Sequence, residues 1–299
     1  QRVGSEVSAE EKIIPDEKRR AYIIDSLRHP SEVMLLRNVY KDAFILVGVV
    51  CEENKRMSRL QEKFYDGSKQ VIEAFMQRDA KASQPYGQKV SKAFHLADFF
   101  VDNTESRVDH DGNANPDWTV TDELSRLIKL VTHSEIVRPR VAETAMENAY
   151  AAQMRSACLS RQVGAAITDQ GGNVVATGTN EVPQAGGGVY GEGDNDKDDR
   201  CAYRRTEDMR FCSNTREQNE IIDRIIESIP ELQQAGNRRK DTLRLEMRST
   251  PVGELLEFSR AVHAEMDALL TAGRKRVSPV GTRVFVTTFP CHYCARHLV

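Results

Sequence analysis

The chain has 299 residues, of which 42 are lysine or arginine and 45 are aspartate or glutamate, giving a net charge of −3. This balance excludes a protein held on nucleic acid by bulk positive charge, and six cysteines are too few for a disulfide scaffold. The length predicts two domains, because one hydrophobic core rarely grows much beyond about 250 residues.

Neither a membrane helix nor a signal segment is predicted. The sequence contains no apolar run of the about 18 residues that a membrane helix needs, and its N-terminal segment is polar. We therefore expect a protein of the reducing cytoplasm with no membrane partner. Because the chain starts at Gln1 and stops at Val299, just after a predicted helix begins, we also expect a piece of a longer chain.

The first third of the chain alternates strand and helix patterns. Strands are predicted at residues 21–27, 43–50 and 97–104, and helices at residues 29–40, 54–66 and 69–80. This order is typical of βαβ units and predicts half of a doubly wound α/β domain over residues 1–135.

Residues 136–299 are predicted to form a second α/β domain. A long helix is expected at 138–160, followed by a hairpin of strands 163–169 and 173–180. An insertion at 181–252 comes next, with a glycine-rich acidic loop at 186–200 and a helix at 217–235. A helix at 260–270, a strand at 283–289 and a cysteine-bearing helix complete the order.

The last two helices carry a metal-binding pattern. His263 offers an imidazole, and Cys291 and Cys294 are spaced so that both thiols lie on one helix face. Three such ligands suit a catalytic Zn²⁺ site, which keeps its fourth position open for water. Glu265 follows His263 too closely to be a comfortable ligand, but it can move protons beside that open position. The combination H-x-E and P-C-x-x-C is typical of zinc-dependent nucleobase deaminases.

Two simpler interpretations stay open at this stage. The zinc site is structural if His292 or His297 supplies a fourth protein ligand. Glu265 is an ordinary helix-start carboxylate if it only interacts favourably with the helix dipole.

From residue 139 onward the chain resembles a deoxycytidylate deaminase of the zinc deaminase superfamily. The resemblance is carried by CLSRQVGAAITD, GTNEVP, HAEMDALL and TTFPCHYC. It implies a three-layer α/β/α cytidine-deaminase-like fold, an Asn180 that contacts the sugar hydroxyl and an Arg161 near the phosphate. Glu181 stands where a small residue is usual in that family.

The N-terminal third is similar to the distal part of a P-loop kinase-like α/β domain. The similarity lies in IIDSLRHPSEVMLLR, VVCEENKRMSRL and ADFFVDNT, while the G-x-x-x-x-G-K-[ST] phosphate loop does not occur in this sequence. A kinase-like domain joined to a deoxycytidylate deaminase resembles the bacterial anti-phage dCTP deaminase family. That resemblance implies defence by draining the deoxycytidine nucleotide pool.

The expected reaction is zinc-dependent hydrolysis of dCTP or dCMP to the uracil nucleotide and ammonia. Zinc makes water nucleophilic near neutral pH, and Glu265 acts as the general acid and base. The alternatives are a housekeeping dCMP deaminase, a polynucleotide cytosine deaminase and a regulatory module with an inert zinc site. We further expect a homo-oligomer, an effector nucleotide at the kinase-like domain or the insertion, and a regulatory RNA or phage trigger.

The insertion contains two weaker patterns. Cys201 and Cys212 can be read as part of a second, structural metal site, although cysteines at this spacing are more often free thiols. Arg204, Arg205 and Arg210 can bind the phosphates of an effector, or they form a solvated charged surface.

Overall fold

The computed structural model describes residues 20–63, 68–80, 89–109, 111–192, 198–203, 212–234, 236–255 and 258–299. The chain divides into two compact units, Gln1–Val137 and Arg138–Val299, near the boundary expected at residue 136. None of the described helices is both long enough and apolar enough to cross a lipid bilayer.

The first unit contains a parallel pair of strands. Its elements are α1 (Pro30–Tyr40), β1 (Val47–Val50), α2 (Glu53–Lys63), α3 (Lys69–Ala80), α4 (Val90–Phe94), β2 (Phe99–Asp102) and α5 (Val120–Thr132). β1 pairs with β2 in register from Val47 opposite Phe99 to Val50 opposite Asp102. Parallel strands need a long crossover connection, and α2, α3 and α4 lie within it.

The strand predicted at residues 21–27 is wrong. Residues 20–28 have no regular secondary structure, and Tyr22 and Ile23 are 76% and 96% exposed. Within the described part of this unit the sheet contains β1 and β2, so this segment lacks the neighbour that a strand needs for its backbone groups. The chain instead enters α1 through a capping box, in which Glu32 accepts from the backbone N–H groups of Arg28 and His29.

The second unit combines an antiparallel sheet with helices. Its elements are α6 (Val141–Gln153), β3 (Gly164–Thr168), β4 (Val174–Thr179), α7 (Ser213–Ser228), α8 (Pro230–Gln233), α9 (Asn237–Arg248), α10 (Ala264–Arg274), β5 (Arg283–Val286) and α11 (His292–Leu298). The strand order is β4-β3-β5, with both neighbours antiparallel to β3. The predicted hairpin of β3 and β4 is therefore confirmed.

Helices cover both faces of this sheet. A Cβ on Gly164 would lie 1.9 Å from the carbonyl oxygen of Ala149 in α6, and one on Gly178 would lie 2.2 Å from the backbone of α10. Gly178 is the register partner of Ala165, so the two glycines face opposite sides. The sheet is therefore enclosed between α6 and α10, as expected for a three-layer arrangement.

Replacing Gly178 by alanine is expected to destabilise the second unit. The new methyl group would meet the Ala264 carbonyl oxygen and the Ala268 nitrogen at 2.2 Å, and backbone atoms cannot rotate away. We expect a loss of at least about 1–3 kcal/mol in the free energy of unfolding, measured by denaturant titration. The control is Gly273→Ala in α10, where the methyl group meets nothing within 4 Å. That change should stabilise by up to about 1 kcal/mol, and equal effects of the two changes would contradict the packing described.

The insertion has a small hydrophobic core of its own. Ile222 and Ile226 of α7 pack with Leu243 of α9. The single helix predicted at 217–235 is wrong, because α7 ends at Ser228 and Pro230 starts the short α8. α9 was not predicted, since its sequence NRRKDTLRLEMR is almost wholly polar and Leu243 is its buried residue.

Candidate active site

Three potential metal ligands meet between α10 and α11. The Nδ1 atom of His263 lies 3.2 Å from the Sγ of Cys291 and 3.4 Å from the Sγ of Cys294. All three ligand atoms lie within 4.8 Å of one another. Separations of this size are expected for three ligand atoms that bind a single metal ion.

This donor set fits Zn²⁺. Tetrahedral coordination at usual bond lengths places a sulfur and a nitrogen ligand about 3.6 Å apart, close to the separations found. Among the described residues, His292 and His297 do not belong to the group of donors within 4.8 Å. Within the part of the chain that the structure describes, the group therefore offers three donors, the number that a catalytic zinc site uses.

Local backbone structure brings the three ligands together. His263 is the N-cap of α10, and the residue before it pairs with Glu181 through an isolated β-bridge. Cys291 is the N-cap of α11, and Cys294 lies one turn into that helix with 1% exposure. β5 leads directly to this helix, and its pairing with β3 fixes where the cysteines lie relative to α10.

Glu265 is buried beside the three ligands. It lies in the first turn of α10 and is 3% exposed. Burial raises the pKa of the Cys294 thiol, and the negative charge of Glu265 raises that pKa further. A thiolate at Cys294 therefore requires a cation nearby, which is what a bound metal provides.

A cavity of about 250 Å³ opens onto these residues. Besides His263, Glu265 and Cys291, its walls include residues from the segment after α6, the end of β4, the insertion and the segment after β5. The lining residues from those four regions are Cys158, Ser160, Arg161, Val163, Asn180, Cys212, Asn214, Thr288 and Phe289. Both residues predicted to contact substrate, Asn180 and Arg161, line the cavity.

Asn180 holds part of the cavity wall through its side-chain amide. Its Oδ1 accepts from the backbone N–H of Val163 at 2.6 Å, and its Nδ2 donates to the Arg161 carbonyl at 2.6 Å. The backbone carbonyl of Asn180 accepts from the Ser156 hydroxyl at 2.7 Å. Asn180 therefore fixes the segment that carries Arg161, and its contact with a sugar hydroxyl stays a prediction.

Arg161 has an exposed guanidinium at the cavity wall. One of its five N–H groups donates to the Thr288 hydroxyl at 3.1 Å, so the segment after α6 contacts the segment that precedes Cys291. Phe289, next to Thr288, is 93% exposed. Neither Thr288 nor Phe289 was predicted as a site residue, although both stand just before the P-C-x-x-C motif.

The Glu181 side chain is buried and, unlike Asn180, does not line the cavity. Its carboxylate accepts from the backbone N–H groups of Ala157 at 2.6 Å and Val182 at 2.9 Å, and it pairs with Arg200. A small residue is therefore not required here, because the large side chain is accommodated inside the protein.

The weaker patterns of the insertion are only partly described. The Cys201 Sγ lies 3.3 Å from the Ser213 hydroxyl, and Cys212 lines the cavity. Within the described residues, neither cysteine belongs to a group of three metal donors. Arg204, Arg205 and Arg210 lie outside the described residues.

The sequence of this region matches known deaminases. Residues 139–299 match the family described as the cytidine and deoxycytidylate deaminase zinc-binding region. The match covers more than half of the chain, which therefore belongs to this family. Deoxycytidylate deaminase of Enterobacteria phage T4 is 29% identical over 162 residues, which are 52% of this chain and 70% of the phage protein. The family is one of hydrolytic deaminases, and Zn²⁺ is the cofactor that the His/Cys/Cys group suits.

Proposed function

We propose that the second unit hydrolyses deoxycytidine nucleotides, dCMP or dCTP, to deoxyuridine nucleotides and ammonia. The observation that carries this proposal is the buried Glu265 carboxylate, which lines one cavity together with His263 and Cys291, two of the three metal donors. A purely structural metal site has no need of a buried carboxylate in the wall of a cavity.

His263, Cys291 and Cys294 would hold the zinc ion, and Glu265 would move the protons. When bound, zinc makes water nucleophilic near neutral pH. Glu265 accepts a proton as water adds to C4 of cytosine, donates a proton to N3, and then assists the departure of ammonia. Water is consumed and ammonia leaves, so the ring becomes uracil without a redox step.

Arg161, Asn180 and Phe289 support a nucleotide as the substrate. A cationic guanidinium at the cavity wall suits a phosphate group, and the Asn180 amide suits a sugar hydroxyl. Phe289 exposes an aromatic ring on which a base can stack. The phage relative, by its name, acts on deoxycytidylate, which supports the monophosphate as a substrate.

A substrate comparison tests the proposed function. We expect purified protein loaded with zinc to release ammonia from dCMP or dCTP and to form the matching uracil nucleotide, followed by chromatography. Deoxycytidine without phosphate should react more slowly, because Arg161 loses its partner. Preferred turnover of single-stranded DNA would instead favour a polynucleotide deaminase, and no turnover of any substrate would favour a regulatory module.

For the first unit we propose a P-loop kinase-like domain and, for the whole chain, a role in defence against phage. The parallel β1 and β2 with their helical crossover support an α/β domain of this kind. The defence role rests on the pairing of such a domain with a deaminase. The same proposal includes a homo-oligomer, an effector nucleotide and a trigger that is an RNA or a phage component. Cells that carry the active chain should lose dCTP after infection, whereas unchanged pools would favour housekeeping supply of dUMP.

A further inference from the structure

Three charged side chains form a buried cluster next to the cavity. Glu181 is 1% exposed and Arg200 is 7% exposed, while the Asp198 side chain is 3% exposed. The Arg200 guanidinium donates to both carboxylate oxygens of Asp198 at 2.5–2.9 Å and lies 3.6 Å from the Glu181 carboxylate. The cluster therefore joins two carboxylates through one cation.

Glu181 connects this cluster to two parts of the active site. Its side chain accepts from the backbone N–H of Ala157, in the segment that leads to Cys158 and Arg161. Its backbone carbonyl accepts from the N–H of Val262, immediately before His263. Both segments line the cavity. A shift of Glu181 would therefore move the cavity wall and the metal ligand His263 together.

Arg200 connects the same cluster to the insertion. Its guanidinium also donates to the Gly191 carbonyl at 3.2 Å and lies 4.5 Å from the centre of the Tyr203 ring. These contacts hold Gly191 and Tyr203 of the insertion close to the cluster that contains Glu181. A cation is required here, because Glu181 and Asp198 are both removed from water and would repel each other without one.

We infer that Arg200 is a positioning residue for the deaminase site, acting through Glu181 on the wall formed by residues 156–163. Arg200 does not line the cavity, and it acts by fixing the Glu181 carboxylate that holds the Ala157 N–H. The insertion thereby sets how firmly Arg161 and Asn180 are held against the nucleotide. The expected change in KM rests on the proposed function, because it requires turnover of a deoxycytidine nucleotide.

The test replaces Arg200 by methionine, which keeps much of the side-chain volume and removes the charge. We expect faster hydrogen exchange in peptides that cover residues 156–163, because the Ala157 N–H is held less firmly. The KM for the nucleotide should rise about 10-fold to 100-fold with a smaller fall in kcat, because the wall is displaced while Glu265 is untouched. Zinc content should stay at the wild-type level.

Arg244→Met is the matched control. Arg244 is also an insertion arginine with two carboxylate partners, Asp223 at 2.7 Å and Asp241 at 2.8 Å, but it lies in α9 and does not line the cavity. Its exchange pattern at 156–163 and its KM should equal those of the wild type. Arg200→Lys, which restores the charge, should recover part of the loss.

A role confined to stability would give a different result. Arg200→Met would then lower the melting temperature while exchange at residues 156–163 and the KM stayed at wild-type values, and the inference would be wrong. If the methionine variant does not fold, Arg200→Lys is judged by the same two measurements.

A double variant tests whether Arg200 acts through Glu181. With Glu181→Gln already present, Arg200→Lys should raise the KM little further. Effects of the two changes on the KM that simply add would also overturn the inference. Absence of turnover in the wild type refutes the proposed function alone, because hydrogen exchange still tests Arg200.

Discussion

Replacing Glu265 by glutamine is expected to lower ammonia release by at least about 10²–10⁴-fold, the usual share of one general acid and base. The expected loss is at the upper end or beyond it, because the same carboxylate accepts the proton of water, donates to N3 and assists ammonia departure. Glutamine fills nearly the same volume, so the buried position in α10 should stay packed. The zinc content should be that of the wild type, since Glu265 is not one of the three donors.

The control for this change is Glu147→Gln on α6. Glu147 is exposed and lies outside the cavity lining, so turnover and zinc content should both be unchanged. Metal analysis and an ammonia assay on the same samples separate the outcomes. Substantial turnover by Glu265→Gln would remove Glu265 from the proposed mechanism, and loss of zinc would make it a ligand.

Replacing Cys291 by alanine is expected to remove both zinc and activity. Only His263 and Cys294 would remain as donors, and two protein ligands fall short of the three that catalytic zinc sites use. We expect the metal content to fall from roughly one zinc ion per chain to a small fraction of that value. Ammonia release should fall to the background of the assay.

Cys51→Ala is the matched control, since Cys51 is a free cysteine of the first unit. That variant should keep its zinc and its turnover. Treatment of the wild type with a chelator should reproduce the loss seen for Cys291→Ala, and added zinc should restore activity to the wild type alone. Full activity in a zinc-free Cys291→Ala protein would refute the metal-dependent mechanism.

The ligand group could be predicted from sequence because each of its parts is local. His263 and Glu265 are two residues apart in the sequence, so they lie near each other in any fold, and Cys291 and Cys294 are three apart, so they share one helix face. The order of helix, hairpin, insertion, helix, strand and helix then indicates one α/β unit in which the two pairs can meet. The structure brings the three donors to within 4.8 Å of one another.

The contacts that depend on distant segments could not be predicted in this way. Arg200 follows an acidic, glycine-rich loop, and nothing in that composition indicates a buried partner for Glu181. The same limit explains the incorrect strand at residues 21–27, because an apolar run shows neither which strand lies beside it nor whether one does. α9 was missed because its one buried residue, Leu243, gives no periodic pattern.

X-ray absorption at the zinc edge of the freshly purified protein identifies the atoms that surround the metal ion. We expect one histidine nitrogen, two cysteine sulfurs and one solvent oxygen as the ligands, with the same set retained in Glu265→Gln. A second histidine, a third sulfur, or a protein without zinc would refute the proposed site of three protein ligands and one water.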